Sequence, residues 1–197
     1  MGLAQVRPIE KPVRLNLGAG ADLRVGWTNV DKFGSQDMMW DLESTPWPWA
    51  TSTVDEVLMK HVLEHLGATS DKFIAIVKEL YRICKHGARI RIIVPHPRHD
   101  DFLGDPTHVR PITLDLLTLF AKDQCERWQK LGASNSLLAL YHNVDLRVVD
   151  HAYGLDDAWA KALADKRATQ ADVDHAARHY ANVVKEIDVT LEVVKPC

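Results

Sequence analysis

The sequence predicts an α/β fold built on a doubly wound, mostly parallel β-sheet. Short β-branched apolar runs, typical of strands buried on both faces, alternate with helical patterns; the runs are residues 13–17, 27–31, 54–59 and 88–94. Between the last two runs, apolar residues recur at helical spacing from Thr69 to Cys84, and Gly87 follows as a stop signal. This alternation places helices over a parallel sheet.

The rest of the chain is expected to complete this fold. A helix is predicted from Thr113, as its cap, to Leu131, with Gly132 as its end. The closing strands are predicted over residues 145–152 and 186–194, the C-terminal one being antiparallel. Between them, two amphipathic helical patterns over residues 156–184 predict a helical insertion, the second opening with a capping box at Thr169 and Asp172.

Composition disfavours several classes of protein. The 24 Lys and Arg residues against 27 Asp and Glu residues give a net charge of -3, so no overall positive field favours nucleic acid or an anionic membrane. Cys84, Cys125 and Cys197 are far apart and show neither paired metal spacing nor a disulfide framework, which indicates a reducing compartment. The first twelve residues have no apolar leader core, and no long uncharged apolar stretch occurs, so we expect a cytoplasmic protein.

The segment from Val13 to Gly20, followed by Asp31, predicts a binding site for a nucleoside. Gly18 and Gly20 follow the first strand, where glycines let a bulky group lie against the backbone. Asp31, at the end of the second strand, places a carboxylate where it can accept hydrogen bonds from both ribose hydroxyls. A dinucleotide fingerprint needs a glycine where this chain has Leu23, so a nicotinamide cofactor is disfavoured. S-adenosylmethionine, which has a ribose and an adenine but no phosphates, fits better.

Further motifs extend this pattern along the chain. They are Asn29-Val30-Asp31, Trp40-Asp41-Leu42, Pro46-Trp47-Pro48-Trp49, Val54-Asp55-Glu56-Val57, His61-Val62-Leu63-Glu64-His65-Leu66 and Arg89-Ile90-Arg91-Ile92-Ile93-Val94-Pro95. With the glycine turn, their order and spacing resemble the class I S-adenosylmethionine-dependent methyltransferases, most closely the small methyltransferase-domain proteins of the type-11-like kind. The resemblance covers roughly residues 13–120. It implies a Rossmann-like fold, and we interpret residues 1–197 as one methyltransferase-like domain with a cofactor-binding core over 13–120 and a helical insertion over 155–184.

The resemblance also implies which residues contact S-adenosylmethionine. They are Asn16, Gly18, Ala19, Gly20, Asp31, Asp41, Leu42 and His61. Asp31 would bind the ribose hydroxyls, and Asp41 would accept a hydrogen bond from the adenine amino group. The backbone of Leu42 would lie against the adenine ring, and His61 would face the sulfonium. For Asp41 the alternative is a simple cap on the following turn.

Three features differ from the pattern or need a separate interpretation. Asn16 stands where the family usually has an acid, so this position offers no charge. Only residues 19–26 separate the first two strands, whereas a parallel crossover needs about a dozen residues, so the helix of that crossover is predicted to be missing. The methionine end of the cofactor cleft is therefore expected to be more open. Trp47 and Trp49 are expected to pack rather than to stack on adenine.

Histidines are concentrated where the methyl acceptor is expected. Of the ten histidines, those that follow predicted strand ends, where ligands of open α/β sheets bind, are His61, His65, His96, His99 and His108. A neutral histidine can take the proton that a hydroxyl or an amine loses on methylation. The predicted catalytic residues are His108, His61 and His96, and His65 is expected to be structural. A structural role is the alternative for each histidine.

No metal site is predicted. His61 and His65 stand four residues apart, and further ligands could come from His96, His99, Asp100, Asp105 and His108. However, no compact H-E-x-x-H motif or cysteine pair supports such a site. A metal-dependent hydrolase built on the histidine loops is therefore a minor alternative. The segment from His96 to Arg110 is instead expected to be a mobile lid, because it is long, polar and rich in turn residues.

The chain carries no motif that identifies the methyl acceptor. The sequence Met59-Lys60-His61-Val62 lacks the Pro-Pro-aromatic motif of amino-methylating nucleic-acid enzymes, and no Pro-Cys nucleophile follows. Arg89 and Arg91 alternate on a strand and are interpreted as edge residues, which makes a phosphate-bearing acceptor a weak hypothesis. We expect methyl transfer to an O- or N-acceptor, more readily a small molecule than a nucleic acid. The alternative is a non-catalytic binding or interaction module; the oligomeric state stays open, with a dimer as one alternative.

Overall fold

Seven strands form one sheet in the computed structural model, which describes residues 11–34 and 36–196. The strands are β1 (Arg14–Leu17), β2 (Thr28–Asp31), β3 (Met38–Met39), β4 (Val54–Lys60), β5 (Cys84–Pro95), β6 (Leu146–Leu155) and β7 (Val184–Val193). Their order across the sheet is β3-β2-β1-β4-β5-β7-β6. Only β7 runs antiparallel to its neighbours in this sheet, so the predicted doubly wound, mostly parallel sheet with an antiparallel C-terminal strand is confirmed.

Helices connect the later strands. They are α1 (Ser70–Ile83), α2 (Asp100–Leu103), α3 (Leu114–Thr118), α4 (Lys122–Leu131), α5 (Leu138–His142), α6 (Asp157–Ala164) and α7 (Gln170–His179), and a 3₁₀ turn covers Leu63–His65. As expected, the described chain has no helix between β1 and β2. None of the helices described is long and apolar enough to cross a membrane.

Two predictions about the helices are wrong. Gly87 does not end a helix but lies within β5, which begins directly after α1 because buried Cys84 pairs with Val54 of β4. The helix predicted over residues 113–131 is broken between α3 and α4. There the carbonyls of Leu119 and Phe120 accept hydrogen bonds from the N–H groups of Ala139 and Leu146, 2.9 Å away in each case. These long-range partners replace the bonds that would continue the helix.

The sheet has one apolar face and one charged face. On the apolar face, strand side chains such as Leu15, Val57 and Ile90 pack with residues of α1 and α3 in the main core. On the other face, side chains of adjacent strands stand in register, and the row is Arg14, Glu56, Arg89, Glu192 and Arg147. The interpretation of Arg89 and Arg91 as edge residues is wrong, because β5 lies between β4 and β7.

The predicted helical insertion forms α6 and α7, with the capping box of Thr169 and Asp172 present. Its buried residues make a small apolar cluster of their own, centred on Val173, Ala176 and Val183. Of the cysteines, Cys197 lies outside the described residues, while Cys84 and Cys125 are buried thiols. Burial raises the pKa of Cys84 to about 12, so this thiol is not a nucleophile at neutral pH.

Candidate cofactor and acceptor site

The glycine turn after β1 lies at the carboxyl ends of the parallel strands, where ligands of open α/β sheets bind. The N–H groups of Gly18 and Ala19 both donate to the Val30 carbonyl, at 2.8 and 3.0 Å, which fixes the turn against β2. A Cβ on Gly18 would lie 2.3 Å from Cγ2 of Val62, whereas a Cβ on Gly20 would meet nothing within 4 Å. Gly18 is therefore required by protein packing, and Gly20 borders open space.

Asp31 lies beside this open space, as predicted from its position at the end of β2. Its Oδ2 accepts a hydrogen bond from the Gly20 N–H at 2.8 Å, and its Oδ1 accepts one from the Phe33 N–H at 3.0 Å. The residue is half-buried. Because each carboxylate oxygen has two lone pairs, both oxygens can still accept a hydrogen bond from a ligand hydroxyl.

Two apolar side chains near Asp31 were not predicted as site residues. Phe33, two residues further on, is 72% exposed, and Met39, which is in register with Asp31 on β3, is 64% exposed. Together they give the rim of the site an apolar surface next to the carboxylate. The available sequence signal was an aromatic residue two positions after the acid, which a search for polar contacts passes over.

Asn16 is buried and faces the protein. Its side-chain amide donates to the Asp22 carbonyl at 2.7 Å and to Oδ1 of Asn29 at 3.1 Å. These bonds hold the loop that replaces the missing crossover helix, and a carboxylate at this position could not donate them. The cofactor contact predicted for Asn16 stays a prediction.

Asp41 caps the turn that follows it, which was the alternative interpretation. Its Oδ1 accepts the Glu43 N–H at 3.0 Å, and its Oδ2 pairs with the Lys32 ammonium at 2.8 Å. The hydrogen bond from Lys32 lowers the pKa of Asp41. Each oxygen of Asp41 thus has one partner within the protein, and the side chain is one-third exposed. As for Asp31, the second lone pair of each oxygen can still accept a hydrogen bond, so the predicted contact with the adenine amino group stays a prediction.

The neighbouring Leu42 and tryptophans form part of the core. Leu42 is 5% exposed, and its carbonyl accepts the indole N–H of Trp47 at 3.0 Å. The rings of Trp47 and Trp49 make a T-shaped pair with centroids 6.2 Å apart, so the expected packing role is confirmed. The Leu42 carbonyl has thus used one of its two lone pairs on Trp47. The contact predicted between the Leu42 backbone and adenine stays a prediction.

His61 follows β4 in a left-handed backbone conformation, with a φ of 52°. Its N–H donates to the Ile93 carbonyl of β5, and its Nε2 lies 2.9 Å from Oε1 of Glu186. The carboxylates of Glu64 and Glu186 raise the pKa of His61. A non-glycine residue in this conformation costs roughly 1–3 kcal/mol, so the fold holds His61 in a strained position at the edge of the site.

His96 and His99 differ in their surroundings. His96 is half-buried, its Nδ1 accepts the Arg98 N–H at 3.2 Å, and burial lowers its pKa. His99 is 5% exposed and caps α2 by accepting the Asp101 N–H at 3.0 Å. His99 therefore has a structural role, while His96 keeps Nε2 for other contacts.

His108 packs inside its loop. Its side chain is 8% exposed, and its ring lies between Phe102 and His65, at centroid distances of 5.3 and 4.5 Å. The loop contains helix α2 and is tied to the 3₁₀ turn, because the N–H groups of Val109 and Arg110 both donate to the Glu64 carbonyl, at 2.9 and 3.2 Å. The segment predicted to be a lid thus contains a short helix and fixed backbone contacts, and its closure over a ligand stays a prediction.

Comparisons with known proteins bear on the fold. No family model and no curated protein matches the chain. A S-adenosylmethionine-dependent methyltransferase structure from Archaeoglobus fulgidus aligns with a TM-score of 0.57 at 13% identity, over 92% of this chain and 86% of that chain. This chain has the class I methyltransferase fold. A second such methyltransferase, from Methanosarcina mazei, aligns with a TM-score of 0.53 at 10% identity, over 97% of this chain and 99% of that chain.

The methyltransferase fold does not by itself define a reaction. The cyclase SpnF aligns equally well, with a TM-score of 0.53 at 15% identity, over 95% of this chain and 78% of that chain. The predicted resemblance to methyltransferases is thus confirmed for the fold, and function has to be argued from the residues of this chain.

Proposed function

We propose that the protein binds S-adenosylmethionine and transfers its methyl group to an oxygen or nitrogen of a small-molecule acceptor. The observation that carries this proposal is the Asp31 carboxylate, which the Gly20 N–H holds at 2.8 Å beside the open side of the glycine turn. A carboxylate at the end of the second parallel strand suits a ribose diol.

The residues around Asp31 fit the rest of this cofactor. Exposed Phe33 and Met39 offer an apolar surface to adenine, on the same rim as the carboxylate. The open space at Gly20 admits the ligand close to the backbone. The described turn lacks the glycine-rich cradle that a pyrophosphate needs, since Leu23 stands at the third fingerprint position.

S-adenosylmethionine supplies an electrophilic methyl group on its sulfonium. Methyl transfer therefore depends mainly on positioning the acceptor in line with that methyl and on removing the acceptor's proton. We assign the proton transfer to His61, because it is partly exposed and its neighbour Val62 packs against the glycine turn. Glu64 and Glu186 raise the pKa of His61, so the neutral ring that accepts the proton is the main form only above that raised pKa. His96 is the second candidate; for His108, the first choice from the sequence, the packed ring suits a positioning role.

The charges of the described residues favour one class of acceptor. Arg89 and Arg91, which would favour a phosphate, are paired with Glu192 and Asp188 on the charged face of the sheet. The carboxylate of Glu186 lies beside His61 instead. A neutral or cationic hydroxyl or amine compound thus suits this surface better than a nucleic acid.

The cofactor assignment is tested by calorimetry with S-adenosylmethionine, its demethylated product and NAD. Asp31→Ala removes two charge-assisted hydrogen bonds, each worth about 1.5–3 kcal/mol, so affinity should fall at least tenfold. Asp71→Ala, at an exposed position of α1, is the matched control and should leave affinity unchanged. Equal binding by folded Asp31→Ala, or a preference for NAD, would contradict the assignment.

The transfer step is tested with methyl-labelled S-adenosylmethionine and a panel of phenols, sugars and amines. His61→Ala should lose about 10²–10⁴ in turnover, the usual contribution of a positioned base, while its cofactor affinity should fall only by the loss of the predicted contact at the sulfonium. Full turnover in this variant would pass the role to His96. Cofactor binding without transfer to any acceptor, in the unmodified protein, would favour a binding module instead.

A further inference from the structure

The most unusual buried group in the described structure is the carboxylate of Glu64. The residue is 1% exposed, and neither of its side-chain oxygens has a hydrogen-bond partner. The nearest group that could pair with it is Nδ1 of His61, which lies 3.6 Å from Oε1 and so beyond ordinary hydrogen-bonding distance. A buried carboxylate without partners is costly, so such groups are normally paired or bound to a metal.

Two histidines complete a cluster around this carboxylate. One ring nitrogen each from His65 and His108 and one oxygen of Glu64 all lie within 4.8 Å of one another. The two segments are held together by the backbone, since Val109 and Arg110 donate to the Glu64 carbonyl. The cluster thus joins the 3₁₀ turn after β4 to the loop before α3.

Hydrogen bonds around the cluster define which histidine nitrogens carry protons. The Thr107 hydroxyl donates to the Asp105 carboxylate at 2.6 Å, so its oxygen must accept the bond from Nδ1 of His65, 2.9 Å away. Nδ1 of His108 likewise donates to the Phe102 carbonyl at 2.9 Å. In the neutral rings each Nε2 then keeps its lone pair. Metal-binding histidines use this arrangement, in which a carbonyl or another acceptor orients the ring.

We propose that Glu64, His65 and His108 form a binding site for a divalent transition metal of the zinc class. Two imidazoles and one carboxylate suit zinc, whereas Ca²⁺ and Mg²⁺ prefer oxygen ligands throughout. Three protein ligands leave a fourth coordination position for water or another ligand. Donor atoms around tetrahedral zinc are roughly 3.4 Å apart, so the side chains must close in slightly on binding. This site departs from the sequence expectation that no metal is bound, and it does not depend on the proposed methyl transfer.

The experiment is zinc titration of the full chain after chelator treatment, followed by calorimetry and by competition with a chromophoric chelator. We expect one zinc ion per chain at sub-micromolar free zinc. Glu64→Gln and His108→Ala should each weaken binding at least tenfold. Thr107→Val keeps every ligand but removes the acceptor for His65, and it should weaken binding about 10–100-fold. Cobalt(II) should give visible absorption that is lost in His108→Ala.

The control addresses another histidine pair. His175 and His179 lie on α7 with ring centroids 4.4 Å apart, a spacing that can hold zinc weakly at a surface. His175→Ala should leave the proposed site intact, and a loss of binding only in this variant would overturn the proposal. Unchanged zinc affinity in folded Glu64→Gln would also overturn it and identify Glu64 as a partner of His61 alone. If Glu64→Gln does not fold, an unchanged affinity in folded Thr107→Val and His108→Ala decides against the site.

Discussion

Two glycines that are two residues apart in the turn after β1 have different physical roles. Gly18 has a φ of 70° and no room for a side chain, because Val62 fills the space where its Cβ would stand. Gly20 has a φ of 49° but faces open space. The sequence pattern treats the two glycines alike, and only the packing of Val62 separates them.

Alanine substitutions should therefore separate stability from cofactor binding. Gly18→Ala should lower the free energy of unfolding by about 2–4 kcal/mol, since overpacking and the left-handed backbone both oppose it. Gly20→Ala should cost about 1–2 kcal/mol from the backbone alone and should weaken S-adenosylmethionine binding in the folded protein. Urea denaturation and calorimetry measure both effects. A Gly20→Ala protein with unchanged affinity would mean that the ligand does not approach the turn.

Glu79 links α1 to the loop that contains Trp47. Its Oε2 accepts the Trp47 N–H at 2.5 Å, and both of its oxygens accept hydrogen bonds from Arg82, at 2.8 and 2.7 Å. The hydrogen bonds from Arg82 lower the pKa of Glu79. A lowered pKa means that the stabilisation is present above the unfolded value of about 4.3 and is lost as pH falls through the folded pKa.

Glu79→Gln should thus destabilise the protein most at neutral pH. We expect a loss of about 1–3 kcal/mol at pH 7, because hydrogen bonds to a buried charged group are replaced by weaker ones. The difference between the two proteins should shrink as pH falls from the unfolded value of about 4.3 through the lowered folded pKa, below which the native carboxylate is protonated as well. Urea denaturation across this range measures it, with Glu126→Gln at an exposed position of α4 as the control. A pH-independent difference would mean that shape rather than charge is responsible.

At the scale of elements, local sequence patterns predicted the helices and caps whose hydrogen bonds join residues close in sequence. The α1 pattern, the caps at Thr113 and Gly132 and the Thr169 capping box all follow from short-range chemistry and are present. The break between α3 and α4 could not be predicted, because it depends on N–H groups of Ala139 and Leu146 that lie further along the chain. In the same way, the role of Glu64 in a cluster with His108 emerges only when the fold joins the two segments.

The helical insertion should unfold more easily than the sheet. Its apolar cluster is separate from the main core, and Val173 at its centre is 3% exposed. Val173→Ala should destabilise α6 and α7 by about 1–3 kcal/mol, from lost burial. Hydrogen exchange should then quicken over residues 157–179 but not in β1 and β4. Val189→Ala, in the main core, is the control and should quicken exchange globally. Equal acceleration everywhere in Val173→Ala would mean that the insertion and the sheet unfold together.

At the scale of the whole molecule, the same strands stabilise the fold through their apolar face and form the site at their carboxyl ends. The apolar face packs on helices, and the carboxyl ends of the same strands carry Gly20, Asp31 and His61. The sequence predicted this edge, because the strands and the turn residues that follow each of them are recognised from short stretches of the chain. It could not predict the charged row on the other face, since register between distant strands decides which side chains become neighbours.

This charged row leads to a prediction about salt. Glu192 lies between Arg89 and Arg147 in register, and its carboxylate is 2.8 Å from the Arg89 guanidinium. Glu192→Lys would place three cations side by side across the strands. Like charges at opposed positions destabilise a sheet, and exposed pairs are worth up to about 1 kcal/mol each, so we expect a loss of roughly 1–2 kcal/mol at low salt.

Much of that loss should be recovered at about 1 M salt, where the Debye length falls to roughly 3 Å. Urea denaturation at low and high ionic strength measures the recovery. A loss in Glu192→Lys that is the same at both ionic strengths would contradict an electrostatic row and would indicate that the Glu192 side chain stabilises the strand by packing alone.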